Sequence, residues 1–344
     1  MGDVAMTVPI IKGLLIHNSN LTITIATRPF YQPFFENIPR LNVFPCDFQK
    51  KYKGFSGLLK LFRDLKSTAL FDHIIDLHGV LRSRILNILF SMYGIPVSSI
   101  DKGRSEKKKL IKGYIFKRLK STFQRYLDVF NTLNLQFEYP PVPAIILNET
   151  YKNEAQTLIN ETASGEVYRI GLAPFSLHNL KTWPKNYTLE LIKMIEGKTK
   201  AAIYLFGGGP DEVSLLEKIS ADNNRCYSMA GKLSLGSELA LIQRMELMIT
   251  MDSSNMHLSS LLGVKTIALW GATHPFAGFQ TYHQETDRDF QIPKEELSCR
   301  PCTIFGKGKC RRSDFACMQW LTPQLIYDKL KSLDLLPLIN RSEL

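Results

Sequence analysis

The chain has 344 residues, 44% of them hydrophobic and 22% charged, which is enough for two ordinary domains. Its net charge of +11 calls for an acidic partner. No RNA-binding signature or recognition-helix pattern accompanies that charge, so nucleic acid gives way to anionic lipid or a phosphorylated substrate. The apolar start is broken by Asp3, Pro9 and Lys12 with no basic region ahead, and no run is a membrane span; a cytosolic protein is expected.

Residues 4–15 have helical periodicity, and the MGD before them reads as a strand-to-helix turn with no strand in front. The first domain is therefore expected to lack its opening strand, through an internal start or a cut chain. A strand follows at 21–26, a short helix at 30–37, a brief strand at 42–44 and a helix at 55–70. Residues 73–77 form a strand that opens into the DLHG turn at 76–79, and 80–93 return to helix. Such alternation predicts a doubly wound parallel sheet with Asp3 and the DLHG turn on its ligand edge. His78 and Arg82 are the acceptor-side candidates there.

Residues 102–120 hold nine Lys or Arg against one Glu, interleaved with Leu110, Ile111, Tyr114, Ile115 and Phe116. A basic helix of this kind lies on an anionic membrane or holds a phosphorylated lipid, unless it is a solvated face packed by its apolar side. The Pro-rich EYPPVP at 138–143 marks the approach to a linker. A second alternating set follows: helices at 151–160, 186–196, 211–219 and 237–245, and strands at 168–173, 201–206 and 225–228.

The stretch 246–275, ELMITMDSSNMHLSSLLGVKTIALWGATHP, reads as strand, helix, strand, with Asp252 or Ser253 as N-cap and Gly263 as the stop. Parallel sheets bind ligands outside the carboxyl ends of their strands, and a helix N-terminus there suits phosphate. Three loops fall on that edge: 173–176 with HNLKTWP at 178–184, Gly207 to Gly209, and 252–255. Ser176 and Lys181 are candidates for phosphate oxygens, and the glycines let backbone approach a ligand. Their convergence predicts a phosphorylated ligand, in a cleft between two doubly wound domains.

GDVAMTVP, KTWP, LFGGGP and the 246–275 stretch together resemble glycosyltransferase family 9, the bacterial heptosyltransferases of lipopolysaccharide core synthesis. The family's last motif is matched at Asp252, His257, Leu258, Leu262, Gly263, Gly271, Thr273 and Pro275. Ser253 and Ser254 stand where the family has Thr and Gly, Ala272 replaces a Pro, and His274 replaces an Asp. No acidic residue stands in the 207–209 turn, where some members contact the nucleoside.

The resemblance implies a GT-B fold: two Rossmann-like domains facing a cleft, acceptor side at 1–148, donor side at 149–320, and a tail at 321–344 packing back on the first domain. It implies inverting transfer without a catalytic metal. Asp3 then corresponds to the base that deprotonates the acceptor hydroxyl, and Lys181 with Ser176 and the turn after Asp252 stabilises the departing diphosphate. Ser253, Ser254 and Gly207 to Gly209 belong to the donor site; Asp252 contacts the sugar hydroxyls, with His257 supporting it. The expected donor is ADP-heptose, the expected acceptor a phosphorylated, lipid A-linked lipopolysaccharide core at the cytoplasmic face of the inner membrane. Another sugar nucleotide, or a binding-only protein, are the rival readings.

Four of the six cysteines, Cys299, Cys302, Cys310 and Cys317, are spaced C-x2-C-x7-C-x6-C. They are candidates for a structural zinc, with reduced thiols or disulfides as the alternative.

Overall fold

The computed structural model describes residues 1–163, 165 and 167–339. By packing, the chain divides into one unit made of 1, 3–106 and 120–146 and a second made of 2, 107–119 and 147 onward.

The chain opens directly in helix. The single helix expected over 4–15 is instead two, Gly2–Ala5 and Val8–His17. Pro9 brings no N–H and fixes its own φ, so it opens a new helix more readily than it continues an old one, and the Thr7 hydroxyl closes the break by donating to the Val4 carbonyl. The second helix is buried nearly all round, not amphipathic.

The first unit carries four strands: β1 (Ile23–Thr27), β2 (Leu41–Pro45), β3 (Ile74–Asp76) and β4 (Val97–Ser99). They do not form one sheet. β1 pairs in parallel with β2, and β3 with β4, as separate two-stranded ribbons. Helices Gly54–Thr68 and Leu81–Met92 pack on each other over a small core of Cys46, Tyr52, Leu61, Leu65 and Phe90.

The basic stretch is not a long surface helix. Only Arg104–Ile111 is helical, and Gly113, at φ 76°, takes the left-handed conformation that stops it. Leu110 and Leu119 are buried with Ala277 and Ile304, Lys107 is buried over the Phe279 ring, and the Leu119 N–H donates to the Phe276 carbonyl. Lys108, Lys109, Lys112 and Lys117 stay exposed.

The second unit is built on one six-stranded, all-parallel sheet. Its strands are β5 (Arg169–Ala173), β6 (Ala202–Leu205), β7 (Cys226–Ser228), β8 (Leu247–Met251), β9 (Lys265–Trp270) and β10 (Asp289–Gln291), in the order β10-β9-β8-β5-β6-β7. The central strands β5, β6, β8 and β9 read as continuous apolar runs because helices cover both faces. The chain runs from β5 outward to β7, then returns to start β8 on the other side of β5. That reversal is the switch point at which such sheets leave a crevice.

The tail helix, Pro323–Ser332, is part of the second unit, and residues 340–344 of the expected tail lie outside the described residues. Ile326, Tyr327 and Leu330 belong to the core of the second, against helix Lys185–Lys198. Among the described residues no helix is long and apolar enough to cross a membrane.

Candidate functional site

The switch point brings together two residues distant in sequence. Lys181 closes a short 3-10 turn, Asn179–Lys181, after β5, and Asp252 follows the last residue of β8. Lys181 Nζ lies 2.8 Å from Asp252 Oδ2, with the side chains 14% and 5% exposed. The KTWP sequence explains how the lysine is held. Leu180 and Trp183 on either side of it are buried, and the Trp183 indole N–H donates to the Leu321 carbonyl at 2.8 Å. With both flanks anchored, Lys181 has little freedom to leave the edge of the sheet.

Asp252 is not the helix cap. Ser253 caps Ser254–Leu261, its hydroxyl accepting from the Asn255 N–H at 3.3 Å. Asp252 is therefore spared for other contacts. Its Oδ2, close to the ammonium but outside hydrogen-bond geometry, joins Asn255 Oδ1 and Thr273 Oγ1 as buried oxygens without a hydrogen-bond partner among the described residues. Buried oxygens of this kind are costly until a ligand or water satisfies them, which is what a hydroxyl-bearing ligand does. Ser254 lies in the helix's first turn, where backbone N–H groups have no intrahelical acceptor. His257 is buried one turn further on.

Ser176 is half-buried after β5 and its carbonyl accepts from the Thr182 hydroxyl at 3.3 Å. After β6, Gly208 and Gly209 face open space and Gly209, at φ 90°, leads into helix Pro210–Ala221. A carboxylate does reach this turn: Glu212 Oε2 accepts from the Gly208 N–H at 2.9 Å. Reading the turn alone misses Glu212, which arrives from the following helix at i+4.

His274 has a structural task in the turn that follows β9. Its Nδ1 accepts from the Phe276 N–H at 3.1 Å and caps the short turn Pro275–Ala277. Burial, with Arg300, Lys294 and Arg118 around it, pushes its pKa down to about 3, so the imidazole is neutral and free to accept.

In the first unit, Asp3 is exposed on the opening helix and its backbone carbonyl accepts from the buried Tyr126 hydroxyl at 3.1 Å. The DLHG turn is organised by Asp76. Its carboxylate accepts from the His78 and Gly79 N–H groups, both at 2.8 Å, the Ser83 hydroxyl at 2.7 Å and the Asn87 amide at 2.9 Å. Burial raises its pKa, but these bonds outweigh burial and hold it below the usual value. His78 is held low by partial desolvation and by Lys102, with Asp76 and Asp3 opposing. Arg82 lies over the Phe48 ring, 4.0 Å from its centroid. Asp3, His78, Arg82 and Lys102 thus make one charged neighbourhood.

The glycosyltransferase family 9 (heptosyltransferase) model matches residues 58–300. The chain belongs to this family. It is similar to the lipopolysaccharide core heptosyltransferase OpsX of Haemophilus influenzae, 23% identical over 337 residues, covering 90% of this chain and 89% of that protein. The family 9 glycosyl transferase of Veillonella parvula has the same fold, with a TM-score of 0.74 at 19% identity over 96% of this chain and 94% of that one. So does the Escherichia coli heptosyltransferase WaaC solved with ADP-2-deoxy-2-fluoro heptose, with a TM-score of 0.64 at 14% identity over 96% of each chain. The expected GT-B fold and a glycosyltransferase enzyme are both established by these matches.

Proposed function

We propose that this family 9 glycosyltransferase moves a heptose from ADP-heptose to a lipopolysaccharide core acceptor, with inversion. The observation that carries the donor half is the Lys181–Asp252 pair at the β5/β8 switch point, beside the first turn of helix Ser254–Leu261. Its family supplies the reaction class, and relatives that are lipopolysaccharide core heptosyltransferases support the choice of substrates.

In this mechanism the acceptor hydroxyl oxygen bonds to the anomeric carbon of the heptose as the bond from that carbon to the diphosphate breaks. The Asp3 carboxylate takes the hydroxyl proton. Lys181 and the N–H groups of the 254–261 helix receive the charge that collects on the departing ADP. Ser176 and Gly207 to Gly209 line the path of the nucleotide, Asp252 takes sugar hydroxyls and His257 supports Asp252. His78 and Arg82 hold acidic groups of the acceptor. These positive groups do the work of a divalent ion, so transfer should persist in excess EDTA.

The exposed lysines 108, 109, 112 and 117, with Tyr114 exposed beside them, suit contact with the anionic cytoplasmic face of a membrane.

Calorimetric titration with ADP, UDP and GDP tests the donor assignment, followed by transfer assays with ADP-heptose. Selective ADP binding with heptose transfer is expected. Preference for UDP or GDP moves the donor, and binding without transfer supports the binding-only rival.

A further inference from the structure

Residues 292–315, between β10 and the helix Ala316–Gln319, contain no helix or strand. Irregular segments of that length inside a domain usually have a function or a cross-link to hold them. This one places Ser313 and Phe315 in the left-handed region, at φ 65° and 55°, where side chains other than glycine are strained. It also carries Cys299, Cys302, Cys310 and Cys317, all free thiols, and all four line the same small cavity. The cavity volume is about 10 Å³, room for one atom-sized occupant.

A second observation concerns Arg300, between the first two cysteines and 1% exposed. Its guanidinium donates to the carbonyls of Gly271, Ile292, Trp270 and Thr273 and to Gln291 Oε1. Every one of these acceptors is neutral. A buried cation with no carboxylate partner among the described residues is expensive, and Arg300 also lines the thiol cavity.

We propose that Cys299, Cys302, Cys310 and Cys317 form a tetrathiolate site for a single structural zinc ion, with Arg300 as its buried counter-charge. Four thiolates suit zinc, and the centre then carries a net charge of about −2 beside the guanidinium. Among the described residues no three His, Cys, Asp or Glu side chains already meet in metal-holding geometry. The proposed site thus requires the four thiols, which line one cavity, to draw together around the ion.

The site reaches the donor edge through two contacts. The Cys302 N–H donates to the Ala272 carbonyl at 3.0 Å, and the Ala272 N–H to the Leu180 carbonyl at 3.3 Å, next to Lys181. Gly306, inside the loop, lies so close to Lys181 that a Cβ there would come within 2.5 Å of Cγ and Cδ of the lysine. The zinc ties the loop that props the Lys181 stem.

The test is elemental analysis of the untagged full chain, purified under reducing conditions without chelator, followed by exchange with cobalt(II). About one equivalent of zinc is expected, and the cobalt form should show intense visible bands of tetrahedral coordination with near-ultraviolet thiolate charge transfer. Cys302→Ser and Cys310→Ser should each lower metal content several-fold. Absence of metal together with no cobalt spectrum overturns the proposal, as do full metal content in either variant or a disulfide among the four in fresh protein. The wild-type cobalt spectrum decides the matter even if the variants fail to fold, and none of these readouts depends on the donor or acceptor.

Discussion

The two units use the same parallel pairing with opposite thoroughness. β6 and β8 are buried at every position, β5 at every position after Arg169, and all three have partner strands on both sides. β1 and β3 are mostly half-buried and have one partner each. Parallel strands are stable when both faces and both edges are covered, and a lone two-stranded ribbon is marginal. The difference teaches where precision resides: the Lys181–Asp252 pair stands on a closed, rigid sheet, whereas Asp3 and His78 stand on a helix start and a turn. What the first unit lacks in sheet it makes up locally, with one carboxylate, Asp76, gathering four hydrogen bonds.

The comparison is broken most severely at Lys181. Lys181→Met should lower kcat about 100- to 1000-fold, read by ADP release, and should also lower the unfolding temperature, read by calorimetry, because the buried Asp252 loses its counter-ion. An unchanged rate would remove Lys181 from the chemistry. Core truncation sharpens the contrast next. Ile249→Ala in β8, 0% exposed, should cost about 2–5 kcal/mol in denaturant unfolding, and Ile25→Ala in β1 about half of that or less. Equal costs would mean that the two sheets are equally well packed.

Acid gives a smaller effect with a reversed order. His274 has a folded pKa of about 3 against 6.5 unfolded, so the unfolded chain binds the proton first and stability falls as pH drops below about 6.5. The loss should be on the order of 2 kcal/mol by pH 5, and His274→Asn, which keeps a capping acceptor, should flatten it. Asp76 acts in the same direction in a lower window: its lowered pKa stabilises above about 3.8, and that contribution is lost only as pH falls through the folded value. The better-packed unit is thus the first to feel mild acid. The smallest effect is expected at Ser253. Ser253→Ala removes the cap of helix Ser254–Leu261 and should cost about 1 kcal/mol, measured by denaturant unfolding.

Much of this was legible before folding. The run at 247–251 is apolar but for Thr250 and became β8 residue for residue, because a strand buried on both faces leaves little other pattern. β10 and β4, by contrast, were not foreseen. DFQ and VSS carry little apolar pattern of their own and become strands because β9 and β3 offer edges to them. The basic segment misled because its composition suits a surface helix, while Gly113 and the packing of Leu110 and Leu119 decide otherwise. At the site, each loop could be read as a ligand loop, but the meeting of Lys181 with Asp252 depends on strand order, which no local signal reports. Glu212 and Arg300 were missed for the same reason, since their partners lie across a turn or across the sheet edge.

One consequence of the Lys181–Asp252 contact concerns turnover. The ammonium has its own counter-ion within the fold, so under the proposed function a diphosphate that engages Lys181 does so by ion exchange with a carboxylate. On that proposal the exchange runs backward at release, and Asp252 competes with the spent nucleotide for the lysine. In a chain of net charge +11, such an exchange would keep the proposed donor edge from holding every passing polyphosphate.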